Sequence, residues 1–155
     1  FVNAILTNML GAGSPQQPLN VHASTPARFA PAGKQLFMEV YMTIDTIKTL
    51  LDADILYGSK YLEHEVNYAF SSDMMSDVLA FATDHSALIT GLCNPQVVRT
   101  AEMLDIVCII FVRNKIPDQN ILSLAEEKEI VILCTGHGMF TACGILYSNG
   151  LLGGA

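Results

Sequence analysis

The chain has 155 residues, 51% hydrophobic and 15% charged, and a formal net charge of −7. That is enough apolar material for one buried core, and it excludes a disordered chain. Residues 1–41 carry +1 and the remainder −8, with no basic stripe, which argues against a nucleic-acid partner.

The sequence opens on Phe1, and Val2–Leu10 reads as one short helix. Residues 11–33 are rich in Gly, Pro, Ala, Ser and Gln, with prolines at 15, 18, 26 and 31, the composition of a linker. Gly11-Ala12-Gly13 has no strand before it and no helix after it, so it is set aside as a phosphate loop. Residues 1–41 are expected to be a linker or unstructured N-terminal extension, a fused remnant or an early start ahead of a natural beginning at Met38 or Met42. Little stability is expected from residues 1–36.

From Met42 the texture changes. Thr43 is placed to cap a helix reaching Asp52, with Ile44, Ile47, Leu50 and Leu51 on its apolar face. Asp54–Gly58 reads as a short strand closed by a glycine turn, and Glu65–Phe70 as one half-buried strand. Ser72 or Asp73 is expected to cap a helix over Met74–Ala82, with Met75, Val78, Leu79 and Ala82 packed inward.

Strand–helix units then repeat. Ala87–Thr90 leads to Pro95–Asp105, where Asn94 caps and Pro95 takes the first helical position at no cost in hydrogen bonds. Val107–Val112 leads to a helix from Pro117-Asp118 to Glu129, and Ile130–Cys134 to a helix from Met139 closed by Asn149-Gly150. Strands apolar throughout, alternating with helices, predict an α/β fold: a small three-layer domain with a mainly parallel sheet and βα repeats.

Cys93, Cys108, Cys134 and Cys143 form no Cys-x-x-Cys pair, and Cys108 and Cys134 lie in apolar runs. They read as reduced thiols of a cytoplasmic protein, and no secretory signal pattern opens the sequence. Ile130–Ala155 lacks Asp, Glu, Lys and Arg, but Thr135–Gly138 and Ser148–Gly150 break it into halves too short for a bilayer.

Three loops should gather at the carboxyl edge of the parallel strands: Thr90–Asn94, Arg113–Lys115 and Thr135–Gly138. They offer hydroxyls, backbone N–H groups at helix starts, two cations and His137, a set suited to a small anion. Polar, glycine-rich strand ends are also what any α/β chain needs in order to turn. The enzyme motifs fail singly: Gly136-x-Gly138 lacks its third glycine, and neither a Gly-x-Ser-x-Gly elbow nor a Walker pattern occurs. Cys134-x-x-His137 with Cys93 offers three metal ligands, but a packed thiol is the favoured reading of Cys134. An exposed Cys93 near a helix start would have a lowered pKa, but a partly buried, inert thiol is the favoured reading. Asp73, Asp77 and Asp84 read as a solvated face, with Asp73 capping its helix.

Read together, Asp54–Gly58, Phe70–Phe81, Thr90-Gly-Leu-Cys-Asn-Pro-Gln-Val-Val-Arg-Thr-Ala-Glu-Met103 and Met139–Tyr147 resemble the stand-alone DRTGG-domain proteins. The resemblance covers about residues 42–152. It implies an α/β domain similar to the amino-terminal domain of HPr kinase/phosphorylase, a module also found beside CBS domains and in phosphotransacetylases, where it looks regulatory.

The expectation is a non-catalytic regulatory module sensing a nucleotide or phosphorylated metabolite, or mediating protein interaction. Its candidate ligand-binding residues are Thr90, Gly91, Asn94, Gln96, Arg99, Arg113, Thr135 and His137, with no catalytic residue, metal or cofactor assigned. The alternatives are a small enzyme acting on phosphoryl groups through Asp73 or Asp77 with Arg99, and a purely structural dimeric subunit. A homodimer is expected because the helix Met139–Tyr147 is apolar nearly all round. The competing cover for that helix is the amino-terminal segment or the helix Met74–Ala82 of the same chain.

Overall fold

A computed structural model describes residues 41–154, so the extension expected over residues 1–41 lies, Tyr41 apart, outside the described residues. The strands are β1 (Met42–Thr43), β2 (Asp54–Tyr57), β3 (Glu65–Val66), β4 (Tyr68–Ser71), β5 (Ser86–Thr90), β6 (Cys108–Phe111) and β7 (Val131–Cys134). The helices are α1 (Ile44–Leu50), α2 (Met75–Phe81), α3 (Pro95–Met103), α4 (Gln119–Glu127) and α5 (Met139–Ser148).

Local signals start α1, α3 and α4 as the sequence predicts. The side chain of Thr43 accepts from Thr46 N, that of Asn94 from Gln96 N, and that of Asp118 from Ile121 N. Each satisfies one amide of a first turn that has no partner inside its helix.

Five strands form one sheet in the order β2-β7-β6-β5-β4. The ladders β4–β5, β5–β6 and β6–β7 are parallel, whereas β2 runs antiparallel to β7 with an irregularity between Ile55 and Tyr57. β5, β6 and β7 are buried along their whole length, because helices cover both faces. On one face Ile44, Ile47 and Leu51 of the α1 region and Ala142 and Leu146 of α5 pack on Ile89, Ile110 and Leu133. On the other, Val78 of α2, Val97 and Ala101 of α3, and Ile121 and Ala125 of α4 pack on Leu88, Ile109, Phe111 and Ile132. The protein is therefore a three-layer α/β fold with a mostly parallel sheet.

Two local expectations are corrected. Glu65–Phe70 is not one strand: Glu65 and Val66 pair antiparallel with β1 in a separate two-stranded sheet, while Tyr68–Ser71 runs parallel to β5. The break falls at Asn67, whose amide donates to the His85 carbonyl. Leu79 does not pack inward but is 41% exposed, whereas Val78 is buried and Met75 and Ala82 pack against the same core, as expected.

Candidate functional site

The register Thr90↔Phe111↔Cys134 aligns the carboxyl ends of β5, β6 and β7, so the three loops that follow them are neighbours. Backbone hydrogen bonds tie them together. Val112 N donates to Thr90 O at 3.1 Å, Arg113 N to His137 O at 2.8 Å, and Asn114 N to Thr135 O at 3.0 Å. Lys115 Nζ donates to the Gly91 carbonyl, so a cation of the second loop grips the backbone of the first.

Arg113 and Asn114 carry positive φ angles of 65° and 52°, consecutive left-handed residues with side chains. The other described non-glycine residues of this kind, Asp52, His85, Asp105 and Glu129, each directly precede or lie just before a strand at a helix-to-strand turn. Only the Arg113-Asn114 pair sits among the three loops, and an arginine has no local hydrogen bond to offset such strain, which costs on the order of 1 kcal/mol. The unusual backbone carries the Arg113 side chain across to the first loop. A β-carbon added at Gly91 would run into Arg113 Nη2, so the guanidinium occupies the space that any larger residue would fill.

That guanidinium meets Asp73. Nη2 is 3.4 Å from Asp73 Oδ2, with the two side chains 50% and 47% exposed. The other carboxylate oxygen, Oδ1, accepts from Thr90 Oγ1 at 2.9 Å and from the Gly91 amide at 2.6 Å. Burial pushes the Asp73 carboxyl up, but the Gly91 amide, the Thr90 hydroxyl and the Arg113 charge together outweigh it and hold the group below its ordinary value.

Asp73, expected as a helix cap or as the carboxylate of a phosphoryl enzyme, is thus the common partner of the loop residues, a role the sequence reading did not give it. It does not cap α2, whose N-cap residue Met74 has no side-chain cap bond; Ser72 Oγ instead accepts from the Met74 amide at 2.9 Å. One signal was available: had Tyr68–Ser71 been read as a parallel strand, Asp73 would have fallen two residues past its carboxyl end, at the same edge as the three loops.

The predicted residues separate into two groups. Thr90, Gly91 and Arg113 meet on Asp73. Thr135 is buried and committed elsewhere, donating to Leu51 O at 2.7 Å and accepting from His137 N at 3.2 Å, so it pins the third loop to the end of α1. Asn94 caps α3 and is exposed beside Gln96, while Arg99 is exposed further along α3 and forms no ion pair among the described residues. The pairing of Asp73 with Arg99 considered for a phosphoryl enzyme is not formed, because Arg113 holds that carboxylate.

Cys93 is exposed, yet partial burial pushes its thiol up against the opposing pull of Lys115, so the thiol is not activated. Cys134 is buried, with Sγ 3.5 Å from the Lys115 carbonyl oxygen. Among the described residues no three His, Cys, Asp or Glu side chains are gathered to hold a metal ion.

A second surface lies along α5. An apolar groove of about 400 Å³ is floored by Ala69, Ser71 and Ile89 and walled by Phe140, Gly144 and Tyr147. Phe140 is 92% exposed and Tyr147 66%. α2 does not cover this groove, because Val78 anchors it on the opposite face of the sheet. The amino-terminal segment, the other expected cover, lies outside the described residues. No described helix is long and apolar enough to cross a membrane.

Residues 46–148 match the family model of the DRTGG domain, a span from within α1 to the end of α5. Among solved structures, the chain is similar to the CBS and DRTGG domains of the regulatory region of Clostridium perfringens pyrophosphatase, crystallised with its activator diadenosine tetraphosphate. The TM-score is 0.57 at 19% identity over 67% of this chain, a likeness of fold. The chain spans 45% of the length of that structure. Comparison with characterised proteins gives no match.

Proposed function

This chain belongs to the DRTGG-domain family, and on that premise we propose that it is a non-catalytic regulatory module sensing a small anionic ligand, a nucleotide or phosphorylated metabolite. The observation that carries the reading is the half-exposed Arg113 guanidinium, carried by a strained backbone to the same carboxylate, Asp73, that the Gly91 amide and the Thr90 hydroxyl reach. Arginine presents a planar fork suited to phosphate oxygens, and amides at a strand-to-helix turn add donors without mobile side chains. The activator bound in the pyrophosphatase structure belongs to the same chemical class. Unpaired thiols at all four cysteines favour a cytoplasmic setting.

A thermal-shift screen with adenine nucleotides, diadenosine tetraphosphate and pyrophosphate tests this reading. A ligand at a hundredfold excess over its Kd should raise Tm by roughly 10 °C, and Arg113→Ala should abolish the rise. No shift with any phosphorylated ligand would sink the sensing function. Turnover of one would favour the alternative, an enzyme acting on phosphoryl groups.

The groove along α5 favours self-association as a second property. Met139–Ser148 contains no charged residue, and Phe140 and Tyr147 flank Gly144 on an open helix face with nothing within 4 Å of where a Gly144 side chain would start. An uncharged aromatic face on an acidic chain is a surface on which a second copy can sit without like-charge repulsion, and two-fold pairing is the commonest closed arrangement. The wild type should sediment as a dimer and Tyr147→Glu as a monomer. A wild-type protein already monomeric at high micromolar concentration ends this part of the proposal.

A further inference from the structure

The anion-binding groups of the edge are not idle in the structure. Thr90 Oγ1, the Gly91 amide and Arg113 Nη2 all point at one carboxylate, that of Asp73. A carboxylate with two hydrogen bonds on one oxygen and an arginine on the other presents the same acceptor pattern as two oxygens of a phosphate. The fit is incomplete in a way that leaves room for a better ligand. Only Nη2 of Arg113 reaches Asp73, at 3.4 Å, so most of the guanidinium fork is unused. Lys115 donates to the neutral carbonyl of Gly91 rather than to an acid. The Asp73 side chain is 47% exposed, so a ligand can approach from solvent.

We infer that Asp73 is an internal occupant of the anion site, and that a phosphate group binds by displacing its carboxylate from Thr90, Gly91 and Arg113. This rests on the sensing function proposed above and supplies its output. Asp73 stands two residues before α2, and its contacts with Thr90 and Gly91 tie the start of that helix to the end of β5. One backbone bond beside them, Ser72 N to Ile89 O at 3.2 Å, makes the same connection. α2 is seven residues long, lacks a side-chain cap and has one fully buried residue, Val78. Helices this short depend on such ties. Ligand binding therefore exchanges order at the loops for looseness at the first turn of α2, while the sheet stays as it is.

Isothermal titration of the full chain with inorganic pyrophosphate tests the displacement. Asp73→Asn keeps the shape but removes the competing charge, and it should bind pyrophosphate about tenfold more tightly than the wild type. Equal or weaker binding by the variant overturns the inference. If the wild type binds through Arg113 and the variant gains nothing, displacement is wrong and the anion site itself stands. If neither protein binds pyrophosphate, the displacement inference falls, and the thermal-shift screen with nucleotides decides the sensing function separately.

Should the variant not fold, the wild type alone decides. The amides of Asp77 and Val78, which donate to the Met74 carbonyl, should exchange their hydrogens about tenfold faster when pyrophosphate saturates the site. Unchanged or slower exchange there means that Asp73 stays in place, and overturns the inference.

Discussion

Phe111→Ala is expected to lower the unfolding free energy by about 3–5 kcal/mol, the range for truncating a fully buried aromatic. The side chain is completely buried and belongs to the core between the sheet and α2, α3 and α4. Its position makes the loss more than a cavity. Phe111 ends β6, is in register with Thr90 on one side and Cys134 on the other, and its carbonyl accepts from Thr135 N at 2.9 Å. All three loops of the candidate site thus leave the sheet at the level of this ring. A domain stable by roughly 5–15 kcal/mol would keep little margin. Urea unfolding should show a lower midpoint at unchanged slope, and the folded fraction should have lost its response to phosphorylated ligands. Phe111→Leu, which keeps most of the volume, should cost less than about 1.5 kcal/mol. A loss below 1 kcal/mol for the alanine variant would show that the ring does not support the loops.

The parallel half of the fold was legible because each of its signals acts over a few residues. Asn94 and Pro95 start a helix by bonds made within one turn, and the unbroken apolar run Val107–Val112 can only be satisfied by a strand covered on both faces. Sheet membership is not local in that sense. Glu65–Phe70 alternates as a strand does, and alternation is the same whether residues pair with β1 or with β5; the division at Asn67 is decided by partners elsewhere in the chain. The antiparallel placement of β2 beside β7 was likewise invisible, since Ile55 and Leu133 meet across more than seventy residues.

At the site the same limit appeared in the polar groups. Composition and loop order brought out Thr90, Gly91 and Arg113, but their common partner was hidden, because an aspartate just ahead of a helix looks like its cap. Whether such a carboxylate turns to its own helix or to a loop seventeen residues later depends on which donors stand nearer, here Thr90 and Gly91. Thr135 shows the converse. Its hydroxyl looked available at a strand end, yet the carbonyl of Leu51 claims it, a contact that exists only because α1 packs on that face.

Two glycines should respond in opposite directions to the same change, and the first carries the second of the large effects expected here. Gly58 follows β2 at φ 91°, a left-handed conformation, and a β-carbon there would lie 2.9 Å from Val131 Cγ2 and 3.1 Å from Val131 Cα. The side-chain atom could move, but the backbone atom sits at the start of β7, paired to β6 at Cys108. Gly58→Ala therefore adds left-handed strain of about 1–2 kcal/mol to a displacement of comparable size, less a few tenths for reduced freedom of the unfolded chain. The expected net loss is about 2–3 kcal/mol. Gly144 lies in the interior of α5 with nothing within 4 Å of its missing side chain. Gly144→Ala should stabilise the folded monomer by up to about 1 kcal/mol through helix propensity, with urea unfolding followed at a concentration too low for self-association. Urea midpoints of the two variants should fall on either side of the wild type. A neutral Gly58→Ala would show that the Val131 backbone can yield. Because Gly58 lies beyond β7 from β6 and β5, that variant, while folded, should still bind pyrophosphate with the wild-type affinity.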